Sequence, residues 1–193
     1  MCKAIYGIVC TAILSLVIGF ADNARAADDY TIDPMHSGIG FKISHIGLSW
    51  IQGRFNSFSG DFTLDPDNPA NSSFSMSIKT DSIDTNNKGR DNHLRSPDFF
   101  NAKQFPVVSF KSTAIKPIDG GYEVTGDLTL HGVTKSISFA LKGGAKAEFP
   151  KGKLRTGFTA EFPVKRDDFG VGKPGNGLGD EVFATVSFEG VKK

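Results

Sequence analysis

Cysteine is almost missing from this chain, and its position decides what can be excluded. The 193 residues hold two, Cys2 and Cys10, both inside an N-terminal stretch that reads as a cleavable secretory signal. Lys3 supplies the positive start, Ala4 to Ala21 is almost wholly apolar, and Ala24-Arg25-Ala26 gives a small-x-small cleavage pattern. An apolar run of this kind approaches the ~18–20 residues of a membrane-spanning helix. The short basic flank, the polar break at Asp22-Asn23 and the cleavage pattern instead predict removal after Ala26. The expected organisation is a signal over residues 1–26 and one domain over residues 27–193, exported to the periplasm. That domain has no cysteine, which excludes disulfides, thiolate catalysis and Cys-ligated metal. Export permits disulfides, so this fold must stand without them.

An excess of charge is missing too. The formal net charge is +1, and losing Lys3, Arg25 and Asp22 with the signal brings it near zero. A nucleic-acid binder would show a basic excess, so none is expected. Zinc-type spacing is absent: His36, His45, His93 and His131 fall on separate elements. No Gly-x-Ser-x-Gly elbow occurs, and Asp167-Asp168 and Asp180-Glu181 adjoin loops rather than forming an acid/base pair. Neither metal, cofactor nor catalytic residue is predicted.

Tryptophan and tyrosine are scarce, at one and three, against 17 phenylalanines. Trp and Tyr carry a polar handle that suits half-wet surfaces, and Phe does not. The interior to be filled or lined is therefore unusually apolar.

What is present is alternation. Ile39, Phe41 and Ile43 alternate with Gly40, Lys42 and Ser44; Phe62 and Leu64 with Asp61, Thr63 and Asp65; Phe74, Met76 and Ile78 with Ser75, Ser77 and Lys79. The pattern continues through Val108 and Phe110, Tyr122 and Val124, Leu128 and Leu130, and Ile137, Phe139 and Leu141. It closes with Phe158, Ala160, Phe162 and Val164, then Val182, Ala184, Val186 and Phe188. A period of two marks strands with one buried and one wet face. Asp65-Pro66-Asp67, Asp119-Gly120-Gly121, His131-Gly132, Gly143-Gly144 and Pro150-Lys151-Gly152 separate the runs as hairpin turns. Roughly eight or nine strands follow, enough for a barrel or a sandwich. Asn86 to Phe100 breaks the rhythm and predicts a short helix, a turn at Ser96-Pro97 and a second helical turn. Large inward residues recur as Phe41, Phe62, Phe74, Phe110, Phe139, Phe162 and Phe188, and composition leaves a filled and a lined lumen equally open.

Several blocks resemble one family. SGIGFKISH (Ser37 to His45), RDNHLRSPDFFNAKQFPVVSFKS (Arg90 to Ser112), GDLTLHGVTKSISF (Gly126 to Phe139), KRDDFGV (Lys165 to Val171) and LGDEV (Leu178 to Val182) are similar to the signature blocks of the YceI-like proteins, in that family's order. The resemblance implies an all-β, lipocalin-like antiparallel barrel with one helical insertion. It further implies a lumen that holds a polyisoprenoid lipid, a quinone or a prenyl phosphate. The residues expected to contact it are Phe41, Ile43, His45, Phe62, Phe74, Arg90, His93, Phe99, Phe100, Phe110, Leu128, Phe139 and Phe162. Transient membrane contact and a homodimer are compatible with this reading.

The clustered polar groups are His45, Arg90, Asp91, His93 and Arg95. Arg90 and Arg95 could grip a phosphate, or the cluster could fasten a helical lid over the barrel. Asp91 fits local pairing better, and His131 is expected on the surface in a hairpin turn. Two other functions compete with a carrier: an enzyme working on a lipid head group through His45, Asp91 and His93, and a secreted interaction protein with a filled core.

Overall fold

The computed structural model describes residues 27–175 and 177–193, so the expected signal over residues 1–26 lies outside the described residues. Every alternating segment forms a strand. In chain order these are β1 (Asp28–Ile32), β2 (Gly38–His45), β3 (Ser49–Phe55), β4 (Phe58–Leu64), β5 (Ser73–Lys79), β6 (Ile83–Asp84), β7 (Val107–Ile118), β8 (Gly121–Leu130), β9 (Val133–Glu148), β10 (Leu154–Lys165) and β11 (Leu178–Lys192).

The sheet closes on itself. Its order β1-β4-β5-β7-β8-β9-β10-β11 returns to β1 through Ile32↔Gly190 and Tyr30↔Lys192, which makes an eight-stranded antiparallel barrel. The remaining strands prolong three of these staves. β1 and β2 both pair with β11, through Ile32↔Gly190 and Gly38↔Ser187, and act as one stave interrupted at Pro34–His36. Proline cannot donate to a ladder, and the Asp33 carboxylate caps the resulting turn by accepting from the Met35 amide at 3.0 Å. β3 and β4 form the next stave, bent at Asn56-Ser57, and β6 continues β5 by pairing with β3 through Phe55↔Ile83.

Register separates the interior into two halves. At the end bounded by β1 and β4, Tyr30 stacks on Phe62 (4.9 Å between centroids) and Phe62 on Phe74 (5.5 Å), with Phe158 and Phe188 edge-on to Phe62 at 6.0 and 5.5 Å. This half is solid. At the other end the β9–β10 ladder stops at Lys142↔Thr159, although β9 reaches back to Val133 and β10 runs on to Lys165. Gly143 (φ +129°) turns β9 there, and a Cβ on it would lie 2.4 Å from the Gly157 carbonyl oxygen, so only glycine fits. Beyond that point the interior is hollow.

The insertion forms α1 (Lys88–Arg95), whose N-cap Asn87 accepts from the Arg90 amide at 3.0 Å. A second helical turn does not follow. Ser96, which precedes Pro97, is extended (φ −73°, ψ 169°), and the chain continues in turns. The Phe100 and Ala102 amides reach back to the Leu94 and Arg95 carbonyls at 2.9 and 3.0 Å.

Candidate functional site

The hollow half encloses a cavity of about 230 Å³ with an almost wholly apolar wall. On β11 the lining residues are Leu178, Val182, Ala184, Val186 and, at the boundary with the solid half, Phe188. Two inward glycines shape it. A Cβ on Gly53 would stand 2.3 Å from the Phe41 ring and one on Gly126 2.5 Å from the Phe110 ring, so each absent side chain makes room for a phenylalanine.

Most of the expected contact residues line this cavity: Phe41 and Ile43 from β2, Phe74 from β5, Phe110 and Leu128 from β7 and β8, and Phe139 and Phe162 from β9 and β10. Phe139 and Phe162 stack at 4.3 Å across the place where the β9–β10 ladder has ended. Arg90, Phe99 and Phe100 join from α1 and the turns behind it. Three do not take part. Phe62 is only 2% exposed and belongs to the solid half. His45, half-buried at the end of β2, pairs in register with Ser49 and Leu178 and is not part of the wall. His93 is on the outer side of α1, exposed, with Nε2 3.2 Å from Asp98 Oδ2 and its ring edge-on to Phe99 at 4.9 Å. His131 sits in the β8–β9 hairpin turn, as expected, but is not fully exposed. It is half-buried, with Nδ1 3.2 Å from the Phe169 carbonyl oxygen and its ring 4.6 Å from that of Phe105.

Sequence reasoning missed Ile51 and Phe55 on β3, Val182, Ala184 and Val186 on β11, and Arg166. Arg166 is buried, because carbonyls surround it: Nε donates to Gly179 O at 2.9 Å and Nη1 to Val171 O at 3.0 Å, with Asp167 Oδ1 at 3.1 Å. A Cβ on Gly172 would lie 3.0 Å from both Arg166 Nη1 and Phe99 Cε1, so that loop, Arg166 and Phe99 pack closely together at the cavity's end.

The polar cluster divides into separate tasks. Thr85 donates from its amide and hydroxyl to Asp91 Oδ1, at 2.8 and 2.5 Å. Arg90 in turn donates from Nε to the Thr85 hydroxyl and from Nη2 to the Thr85 carbonyl, both at 2.7 Å. Among the described residues Arg90 forms no ion pair; its guanidinium is held by Thr85, which in turn donates to buried Asp91. Arg95 fastens the helix from outside, donating from Nε to Asp81 O and from Nη2 to Ile83 O at 2.7 Å each. The arrangement gives an apolar chain a wall of aliphatic and aromatic side chains, with two arginines, Arg90 and Arg166, among the lining residues.

The chain matches the model of the YceI-like domain over residues 30–190. It is 40% identical over 176 residues to Protein YceI of Escherichia coli, covering 90% of this chain and 92% of that one. A UPF0312 protein of Pseudomonas aeruginosa is 39% identical with the same coverage. Among solved structures, BcnA of Burkholderia cenocepacia superposes with a TM-score of 0.75 at 26% identity, covering 82% of this chain and 98% of BcnA. The YCEI protein of Campylobacter jejuni gives 0.70 at 27% identity, covering 95% and 99%. A polyisoprenoid binding domain from Saccharophagus degradans shares the fold, with a TM-score of 0.63 at 17% identity over 85% of this chain and 98% of that domain. With the family model spanning nearly the whole barrel and a relative this similar along its length, the chain belongs to the YceI-like family.

Proposed function

We propose that this protein binds a polyisoprenoid lipid, an isoprenoid quinone or prenyl phosphate, in the hollow half of the barrel, and carries or stores it in the periplasm. The observation that carries the reading is the apolar cavity wall formed by Val182, Ala184 and Val186 of β11 with Phe41, Phe110 and Phe139. Burial of apolar surface is worth roughly 25 cal/mol per Å², so a chain of several isoprene units binds firmly with few polar contacts. Ordering a flexible chain takes back part of that gain. The Saccharophagus domain of the same fold is described as polyisoprenoid binding, and the predicted signal supports export. Arg90 would hold a head-group oxygen by a charge-assisted bond.

The enzyme alternative requires His45, Asp91 and His93 to act together, yet among the described residues no hydrogen bond joins any two of them. A wholly filled core is at odds with the cavity. Organic extraction of protein purified from its host, followed by mass spectrometry, tests the proposal: a prenyl lipid is expected. Protein that is reproducibly empty, and that takes up no added prenyl lipid, contradicts it.

A further inference from the structure

One turn of the barrel is built against the ordinary preferences of turns. Between β2 and β3 the Leu48 amide donates to the His45 carbonyl at 3.0 Å, closing a hairpin turn with Ile46 and Gly47 as its central residues. Both central residues have positive φ, +47° and +72°. Such turns favour Asn or Asp followed by Gly. A β-branched residue with positive φ is an outlier, and strain of that kind points to a function for the side chain it displays. Ile46 is 58% exposed, Leu48 83% and Trp50 53%.

These residues sit at the tip of two strands whose inward side chains line the cavity. On the same hairpin Ile43 and Ile51 are register partners and line the cavity. The Ile46 amide donates to the Gly177 carbonyl at 2.6 Å, so the tip is fastened to the loop that leads into the lining residue Leu178. On the outer face Trp50 meets Phe183 edge-on at 5.7 Å, with the Lys42 ammonium 5.2 Å from the Phe183 ring centre. Trp50 lies two residues behind Leu48, about 7 Å along the strand. An apolar side chain enters the head-group boundary of a bilayer by ~5–10 Å, a level at which tryptophan is enriched. Charge contributes little: Lys42 is engaged by Glu161 at 2.7 Å, Asp167, Asp168 and Lys173 lie in the neighbouring β10–β11 connection, and Asp180 and Glu181 stand near the start of β11.

We infer that the Ile46–Trp50 hairpin tip docks the hollow half of the barrel on a phospholipid surface, inserting Ile46 and Leu48 with Trp50 at the interface, so that ligand passes between bilayer and cavity. This rests on the proposed carrier function, because a lipid cargo is what must leave a bilayer there. Apolar insertion rather than charge drives the docking, so it withstands high salt.

Trp50 is the chain's one tryptophan, so its emission reports the tip alone. The full chain is mixed with phosphatidylethanolamine/phosphatidylglycerol vesicles, with and without brominated acyl chains. A blue shift and quenching by the brominated lipid are expected, persisting at high salt. In the Ile46→Asp/Leu48→Asp variant, which keeps the same N-terminal apolar run, vesicle affinity and the rate of prenyl-lipid transfer fall about tenfold or more, the scale set by withdrawing two apolar side chains. Ile46→Asn separates docking from folding: Asn suits positive φ, so thermal stability is unchanged or higher while docking weakens. Unquenched Trp50 on vesicles overturns the inference, whether the tip then proves free or covered by another protein. So does a blue-shifted dimer that forms without vesicles and is abolished by the same variants, which would make the occupant a second copy of this chain. If the double variant still yields prenyl lipid on extraction, the carrier reading stands whichever way the docking falls.

Discussion

Phe62 and Phe41 both occupy inward positions on strands of the same barrel, and they do opposite things. Phe62 is stacked between Tyr30 and Phe74, edge-on to Phe158 and Phe188, and almost nothing of it is reachable. Phe41 leans on Phe55 at 5.9 Å, overlies the space left by Gly53, and turns its free side to a cavity. The difference comes from the backbone. Where β9 and β10 are laddered the rings of Phe62, Phe74, Phe158 and Phe188 pack against one another, and beyond the ladder's end at Lys142↔Thr159 the stacked pair Phe139 and Phe162 lines the cavity. The solid half is packed ring against ring, and the hollow half leaves a cavity between its walls.

The largest expected effect breaks the solid half. Phe62→Ala should cost about 3–5 kcal/mol of stability, the range for a phenylalanine removed from a packed core, measured by urea denaturation. Phe41→Ala should cost clearly less, since half of its contact is with a cavity, while lowering the amount of extracted lipid. Equal losses of stability at the two sites would erase the distinction.

Next in size is filling the hollow. Ala184, the register partner of Phe41, lines the cavity, and Ala184→Phe places a ring in the ligand's path. Affinity for a prenyl lipid should drop at least about tenfold, or ~1.4 kcal/mol, with thermal stability unchanged or raised. A variant that unfolds instead would mean that the upper half is already packed.

Arg90→Met sharpens the polar part of the account. A prenyl phosphate should bind about tenfold more weakly, the lower end of what a hydrogen bond to a charged group contributes, while an uncharged prenyl alcohol changes much less in the same titration. Equal weakening of both would make Arg90 a support for Thr85 alone.

The smallest effect is a pH dependence confined to the solid end. Asp28 accepts from Lys146 at 2.6 Å and from Lys192 at 2.5 Å, tying β1 to β9 and β11. These two ammonium groups hold its carboxyl down to about 2. A folded-state pKa below the unfolded one makes a contribution that is complete above the ordinary aspartate range and is lost as pH falls through about 2. Asp28→Asn should therefore lower the melting temperature at neutral pH, and the gap between variant and parent should close on acidification. A gap that widens toward acid would reverse the assignment.

Much of this was legible in the residues. Alternation marked nearly every stave, and most of the residues expected to contact a ligand do line the cavity. β3 escaped because its inward series is Ile51, Gly53, Phe55, and the missing side chain at Gly53 is the one that gives way to Phe41. The division between Phe62 and Phe41 is written in neither local sequence, since it depends on how far the β9–β10 ladder runs. Arg166 stood in a block already resembling the family signature, yet nothing local showed that three backbone carbonyls would draw it into the barrel. His93 and His45 illustrate the converse: residue types suited to a site, placed by their elements outside the cavity.

The most direct test of the central claim is a high-resolution structure of the protein purified from its host without delipidation. The account predicts continuous elongated density bounded by Phe41, Phe110 and Phe139, ending near Arg90 or the Ile46–Trp50 tip, and none among Tyr30, Phe62 and Phe158. An upper half collapsed on its own side chains, with no such density, would contradict it.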